Sequence, residues 1–278
     1  MRKMYIILLL LLLVTYDSLY SQDVHFSQFY AAPLNYNPAN TGNFSGSARV
    51  GLNYRDQWGS ITIPYRTYDV YTDFAIQPSK AFNRFGIGVL ALNDVAGDGV
   101  LTNTRLQASA AYHVGYTDKS PIRVALGIAG AYVQKTIDIY KLTFDSQWNV
   151  DEFNTSLPNN ETAKDKLQYY DFSAGILTTL IPYEGERYFL GIAAHHITQP
   201  KESFYENGNT LHMKYVAQAG AFIQVGTNTS IQPQLFYTQQ SSASEIIGGM
   251  NMSLRTQFYD KGKFRALILG AWYRYKDA

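Results

Sequence analysis

The stretch LTNTRLQASAAYHVGY, from Leu101 to Tyr116, distinguishes best between the folds open to this chain. Its alternate residues form an apolar row and a polar row. The apolar row is Thr104, Leu106, Ala108, Ala110, Tyr112, Val114 and Tyr116, and the polar row is Asn103, Arg105, Gln107, Ser109, Ala111 and His113. Because a strand points successive side chains to opposite faces, the stretch predicts one long strand between two environments. Soluble strands usually have about 5–6 residues, whereas a strand that crosses a bilayer needs roughly 9–11. A soluble sandwich and a transmembrane barrel both remain open at this point.

The composition narrows the classes of function. Only 16% of the 278 residues are charged, against about 25% in an average soluble protein. The slightly negative mean hydropathy excludes a helical membrane protein but allows a barrel with a polar lumen. A net charge of +1 gives no basic surface for nucleic acid. Cysteine is absent, which excludes disulfides, cysteine metal sites and a lipidated N-terminal cysteine.

The first 21 residues have the pattern of a cleaved secretory signal. Two basic residues precede an apolar run, Ile6 to Val14, that is too short to span a bilayer as a helix, and Ser21 is a small residue suited to cleavage. An uncleaved membrane anchor is the alternative. We therefore predict a signal peptide at 1–21, Sec-type export, and a barrel domain at 22–278 that opens with a non-strand arm at 22–44.

Alternation recurs along the mature chain. It predicts eleven strands: Ala48–Trp58, Tyr65–Gln77, Phe85–Leu92, Leu101–Tyr116, Ile122–Tyr132, Tyr170–Leu180, Tyr188–Thr198, Met213–Val225, Ser230–Gln239, Glu245–Phe258 and Lys263–Tyr275. Connections near Pro78, Lys119, Glu184, Asn228 and Lys261 are mostly short, and those near Ser60, Gly97, Asn154, Glu206 and Ser241 are mostly longer. Short periplasmic turns and longer external loops are typical of outer-membrane barrels. The pattern favours an all-β, antiparallel up-and-down transmembrane β-barrel.

The odd number of strands needs an explanation, because single-chain bacterial barrels have an even number. An open edge in lipid would leave unpaired backbone groups that cost several kcal/mol each. We expect about 12–14 strands in the complete barrel, with about one or three C-terminal strands missing from this chain. The alternative is that part of Gln22 to Asn43 pairs as a twelfth strand.

Several segments resemble one protein family. FSQFYAAPLNYNPANTG, at residues 26–42, is followed by YRDQW (Tyr54 to Trp58), and together they are similar to the opening of the PorP/SprF family. KLTFDSQW (Lys141 to Trp148), GIAAHHITQP (Gly191 to Pro200) and LGAWYRYKDA (Leu269 to Ala278) also resemble that family. The similarity extends over essentially the whole mature chain, and the opening motif is its most specific part.

The resemblance implies a location and a function. PorP/SprF proteins are outer-membrane barrels associated with the type IX secretion system and gliding motility in Bacteroidetes. The resemblance implies that this chain receives the C-terminal region of a secreted surface protein, such as an adhesin, and holds it at the cell surface. Other secretion components and outer-membrane lipid would be further partners. Family members continue past the YRYKDA run, which supports the expectation of missing C-terminal strands.

The five histidines, His25, His113, His195, His196 and His212, suggest no metal centre. His195 and His196 are adjacent on a predicted strand, so their side chains should point to opposite faces and could not easily share one metal ion. His113 and Ser109 share the polar row, which raises the alternative of an outer-membrane lipid hydrolase. The sequence offers no orienting third residue and no oxyanion motif for it. We expect no catalytic residues, metal or cofactor.

Two further patterns have a structural interpretation. Asp94 and Asp98 lie in the glycine-containing stretch Asn93 to Gly99, but the spacing of an EF-hand is missing, so a turn is expected in preference to a Ca²⁺ site. Charged residues on the polar rows are expected to pair across the barrel wall, with ion selectivity as the alternative; these are Arg49, Arg55, Arg105, Arg123, Asp69, Asp73 and Asp171. Aromatic residues at strand ends, Tyr112, Tyr116 and Tyr132, are expected in the interface girdles.

The sequence therefore predicts a non-enzymatic outer-membrane barrel whose function lies at its mouth. We expect the connections Thr136 to Gln168 and Pro200 to Asn209, or the barrel mouth itself, to contact a secreted protein. The alternative is a small-solute channel, because a barrel of about twelve or more strands could leave a lumen.

Overall fold

The computed structural model describes residues 23–60, 63–77, 83–117, 120–205, 209–256 and 265–275. The strands are β1 (Ala48–Gln57), β2 (Tyr65–Ile76), β3 (Arg84–Ala96), β4 (Leu101–Thr117), β5 (Ser120–Thr136), β6 (Trp148–Asn149), β7 (Glu152–Phe153), β8 (Lys166–Leu180), β9 (Glu186–His195), β10 (Lys214–Gln224), β11 (Thr229–Gln240), β12 (Ala243–Thr256) and β13 (Arg265–Tyr275). One short helix, α1 (Pro33–Tyr36), lies between 3₁₀ turns at Phe29–Ala31 and Pro38–Asn40, and two further 3₁₀ turns lie at Ile139–Lys141 and Asp145–Gln147. The predicted signal segment, residues 1–21, lies outside the described residues.

Eleven of these strands form one antiparallel sheet in chain order from β1 to β13, and β6 pairs only with β7. The antiparallel up-and-down fold predicted from the sequence is therefore confirmed. One predicted loop is wrong: the connection near Ser241 is a turn of two residues between β11 and β12, in which Ser241 has a φ of 53°. The predicted turn centres Pro78, Lys119 and Lys261 and the loop residue Glu206 lie outside the described residues.

β4 has the two faces that its sequence predicts. Leu106 is 53% exposed on the outer face, whereas His113 is 1% exposed on the inner face. Gln107 and Ser109 are also buried, and Ala108, Tyr112 and Val114 are exposed. The polar row is thus buried inside the molecule and the apolar row lies outside. The side chain of Tyr116 lies outside the described part of the chain.

The same arrangement, with apolar residues outside and polar residues inside, occurs around the whole sheet. The outer face exposes large apolar side chains on every long strand, among them Val50, Val70, Val89, Leu126, Phe172, Leu190, Leu235 and Leu269. The inner face buries polar ones, among them Asp69, Asp73, Asp171, Ser173, Thr179, Gln218, Asn251 and Ser253. A polar interior inside an apolar outer belt is expected when the surrounding solvent is lipid. Within the described ranges, no helix is long and apolar enough to cross a membrane.

The two ends of the barrel differ in their connections. Residues 137–165 between β5 and β8 and residues 196–213 between β9 and β10 lie at one end, which we call the long-loop end. The connections from β4 to β5 and from β8 to β9 lie at the opposite, short-turn end. In outer-membrane barrels the longer loops face the outside and the short turns face the periplasm.

The sheet curves around the residues that precede β1. Tyr30 stacks on Trp272 of β13 at a ring distance of 4.9 Å, and the neighbouring Ala31 carbonyl accepts a hydrogen bond from Asn53 of β1 at 3.2 Å. Both edge strands of the sheet therefore contact the same stretch of chain. The possible twelfth strand at 22–43 is wrong for the described residues 23–43, which form helical turns inside the barrel instead of a strand.

Candidate functional site

Residues 23–43, here called the lumen segment, run through the interior from the long-loop end to the short-turn end. Asp23 contacts His196 and Lys214 at the top of β9 and β10, and Gly42 contacts Asp73 near the bottom of β2. Proline at the first position of α1 and of the next 3₁₀ turn supplies the fixed φ that begins each of them. These tight turns keep the segment compact enough to fit within the barrel.

Aromatic residues hold the upper part of the segment. Phe29 stacks on Phe236 of β11 at 4.8 Å, and Tyr36 packs edge-on against the same ring at 4.9 Å. Both residues are almost completely buried. The Tyr36 hydroxyl accepts a hydrogen bond from the Phe26 backbone at 2.6 Å. Together with inward-facing apolar side chains of the strands, such as Leu90, Val216 and Ile247, this cluster forms an apolar core inside the barrel.

Polar side chains also hold the segment, from Leu34 onward. The Asn37 amide donates to the carbonyls of Ile176 and Ile192, on β8 and β9, at 3.2 and 3.3 Å. The Gln107 amide on β4 donates to the Leu34 carbonyl at 3.1 Å. Because the segment lacks a partner strand, these side chains replace the backbone ladder in satisfying its buried groups.

Glycines on the inner wall allow this close approach. A Cβ added to Gly86 of β3 would overlap the Thr41 backbone, and one added to Gly127 of β5 would overlap the Ala39 backbone. Glycine inside a strand commonly marks a place where another backbone approaches closely. These glycines are the sequence signal for the buried segment, although strand periodicity alone does not reveal it.

Charged residues cluster where the segment starts, and we call Asp23, Arg105, Asp171, His196 and Lys214 the charge cluster. The His196 ring bridges the carboxylates of Asp171 and Asp23 at 2.9 and 2.7 Å. Lys214 lies 3.5 Å from Asp23, and Arg105 lies 3.9 Å from Asp171. Burial would raise the pKa of Asp23, but His196 and Lys214 hold it well below its usual range. Burial would likewise lower the pKa of His196, but the two carboxylates raise it to about 9.

The prediction that His195 and His196 point to opposite faces is wrong. β9 ends at His195, and His196 has a positive φ of 56°, which turns its side chain back into the interior. His195 bonds Ser173 at 3.0 Å and the Tyr36 carbonyl at 2.9 Å, so the two rings have different partners. No group of metal-binding side chains occurs among the described residues.

The residues considered for a hydrolase hold the lumen segment instead. His113 contacts the Thr41 carbonyl at 2.8 Å, and the Thr41 hydroxyl donates to Ser109 at 2.9 Å. In the stretch considered for Ca²⁺, Asp94 belongs to β3 and accepts a hydrogen bond from Thr67 at 2.6 Å. Each of these side chains has a structural partner.

The expected pairing of lumen charges is confirmed at two places. Arg49 binds both carboxylate oxygens of Asp73, at 2.9 and 2.8 Å, and Arg105 lies near Asp171 in the charge cluster. Asp69 pairs differently, with the Asn53 amide at 2.8 Å. The polar rows therefore form a connected inner lining.

The long-loop mouth combines a cavity with exposed apolar side chains. A cavity of about 390 Å³ lies between the start of the segment and the strand ends, and Arg55, Trp58, Asp94, Lys135 and Glu202 are among its lining residues. Lys135 of β5 forms an ion pair with Glu202, which joins the connection between β9 and β10 to the barrel wall.

The longest connection, residues 137–165, presents a small hairpin. Trp148 of β6 packs edge-on against Phe153 of β7 at 4.8 Å. Val150 at the hairpin tip is 82% exposed, and Tyr140 in the same connection is 94% exposed. Exposed apolar clusters on a polar rim commonly mark protein contacts. The sequence predicted this connection as a loop, without the hairpin.

Together these features define a β-sheet membrane protein whose interior is filled by its own N-terminal segment and whose polar surface is concentrated at the mouth. The comparison with protein families agrees: the model of the type IX secretion system membrane protein PorP/SprF matches residues 18–278. The chain therefore belongs to the PorP/SprF family, as the sequence motifs indicated. The comparison with curated proteins gives no match.

Proposed function

We propose that this chain binds the C-terminal region of a secreted surface protein and holds it at the outer surface of the outer membrane. Membership of the PorP/SprF family places the chain among type IX secretion system membrane proteins. The observation that carries the finer proposal is the lumen segment. Because residues 23–43 occupy the interior between the two ends, a protein partner would bind at a mouth.

The long-loop mouth has the features that a protein contact needs. The β6–β7 hairpin exposes Trp148 and Val150 beside the acidic residues Asp151 and Glu152. The ion pair between Lys135 and Glu202 fixes the second long connection beside the cavity. Aromatic residues in a polar rim supply much of the binding energy in protein interfaces.

A pull-down experiment tests the proposal. Outer membranes are solubilised in detergent, the tagged chain is recovered, and the accompanying proteins are identified by mass spectrometry. We expect a secreted protein to accompany the intact chain. The double variant Trp148→Ser/Val150→Ser should lose most of it, because loss of a central aromatic contact commonly costs 2 kcal/mol or more, roughly a 30-fold change in affinity.

Tyr183→Ser is the matched control, because Tyr183 is also an exposed apolar side chain but lies in the turn between β8 and β9 at the opposite end. This variant should recover the same partner as the intact chain. The proposal is wrong if deletion of the gene leaves the surface display of every secreted protein unchanged.

A further inference from the structure

Arginines are concentrated on the inner face at the short-turn end of the barrel. Five inward-facing strand positions near this end carry arginine: Arg49, Arg84, Arg123, Arg187 and Arg255. They come from five different strands, so they surround the lumen instead of following one strand. Among the described inward-facing strand positions near this end, Asp73 is the only acid.

This imbalance is confined to one end. Near the long-loop end the inner face mixes acids with bases, as in the charge cluster and in the pair formed by Lys135 and Glu202. Three connections at the short-turn end extend into residues outside the described part of the chain, namely 78–82, 118–119 and 257–264. By sequence these stretches add four lysines and two aspartates, and the described connection from β8 to β9 with the first residue of β9 adds Glu184 and Glu186, so basic residues still outnumber acidic ones at this end.

Two of the arginines have structural partners that explain them. Arg49 binds the Asp73 carboxylate, and Arg84 donates to the carbonyls of Gly42 and Phe44 at 3.2 and 2.7 Å. These contacts fix the lower end of the lumen segment. Arg187 and Arg255, in contrast, have no side-chain hydrogen bond or salt bridge within the described ranges. Both side chains are exposed to solvent at this end of the lumen, so their guanidinium groups are accessible to an anion and can donate hydrogen bonds to it.

A cavity next to Arg187 has room for such an anion. Its volume is about 140 Å³, and it lies between the lumen segment and the strands β1, β8, β9, β10 and β11. The lining includes Arg49 and Arg187 together with Asn40, Gln218 and Gln234, and no acid. Guanidinium and amide N–H groups are the donors that carboxylates bind most strongly, often through two parallel hydrogen bonds.

We propose that the short-turn end of the lumen binds an acidic protein segment that enters from the periplasm. The arginines face the lumen, whereas lipid headgroups surround the outer wall, so a lipid phosphate does not fit this site. The lumen segment occupies the interior above the site, so the ligand docks at the end and does not pass through. A flexible segment with several carboxylates would reach both the 140 Å³ cavity at Arg187 and the exposed Arg255.

A peptide-binding measurement on the full chain in detergent tests this proposal. The probe is fluorescein-labelled hexaglutamate, and its anisotropy reports binding. We expect binding that weakens as ionic strength rises, because salt screens exposed charge pairs. The double variant Arg187→Gln/Arg255→Gln should bind about tenfold more weakly. Since neither side chain has a partner within the described residues, the variant should keep the fold, and its thermal unfolding is measured in parallel.

Arg66→Gln is the matched control, because Arg66 is an arginine on the outer face at the long-loop end, where it pairs with Asp56 at 3.3 Å. It should bind hexaglutamate like the intact chain. Equal affinity of the double variant, or absence of binding to the intact chain, would overturn the proposal. In a competition experiment, inorganic phosphate is added at the same total concentration of negative charge as the peptide. If it displaces the peptide completely, the site binds small anions and the assignment to a protein segment is wrong. The partner at the long-loop mouth has no part in any of these outcomes.

Discussion

At His196 a buried imidazole lies between two carboxylates, and its pKa of about 9 in the folded chain lies above the ordinary 6.5. The protonated ring therefore contributes stability that is fully present below about pH 6.5 and is lost as the pH rises through about 9. We expect the temperature of unfolding in detergent to fall between about pH 7 and pH 10. Intrinsic fluorescence during a thermal scan measures this change.

The variant His196→Gln isolates this effect from other alkaline changes. It should lower the free energy of unfolding at neutral pH by about 3 kcal/mol, because it leaves Asp23 and Asp171 without their bridging cation. Its stability should then depend less on pH between neutral and alkaline conditions. The exposed His212, changed to glutamine, is the control and should retain the full pH dependence. If the stability of His196→Gln falls with rising pH as steeply as that of the intact chain, protonation of His196 is not the cause of the pH dependence.

Gly127 gives a second test at the level of one residue. Gly127→Ala places a Cβ against the Ala39 backbone, so the lumen segment or β5 has to move. We expect a loss of about 1–3 kcal/mol in the free energy of unfolding, as for other overpacked sites. Gly248→Ala is the control, since its Cβ would meet only Leu235 at 3.6 Å, an ordinary contact. If the two variants are equally stable, β5 at Gly127 is not in close contact with the lumen segment.

The lumen segment as a whole makes a prediction about conductance. The intact chain should show no steady pore in planar bilayers, because residues 23–43 fill the interior. Deletion of residues 23–43 should open a path lined by the polar inner rows, and a steady conductance should appear. A pore of equal conductance in the intact chain would favour the alternative of a small-solute channel.

At the level of elements, the strands were predictable and the lumen segment was not. Alternation places Leu106 outside and Gln107 inside because a period of two follows directly from strand geometry. It fails at His196, because a change in backbone conformation at a strand end leaves no trace in the pattern of polarity. The segment has no periodicity of its own, so the sequence predicted a non-strand arm and left a twelfth strand as the alternative. The inner-face glycines Gly86 and Gly127 were the available sign of a second backbone nearby.

Over the whole molecule, the outer belt should respond to charge according to depth. Ile128 lies near the middle of β5 and is 67% exposed, and Ile122 lies near its end and is 45% exposed. Ile128→Arg should cost about 2–4 kcal/mol and Ile122→Arg about 0–1 kcal/mol, because the penalty for arginine falls toward the bilayer interface. Unfolding by denaturant from lipid vesicles measures both. Because the two residues share a strand and a face, equal costs would argue against the expected position of the bilayer.

The direction of the lumen segment bears on how the molecule is assembled. Asp23 lies at the long-loop end, the chain descends to Gly42, and β1 then ascends again from Ala48. Segment and first strand thus form the two limbs of a hairpin bent at the short-turn end. A chain that inserts from the short-turn side can therefore bring in this hairpin with both limbs entering first and the bend last. The limb that holds Asp23 then reaches the long-loop end through the molecule's own interior, and it does not have to cross the lipid separately.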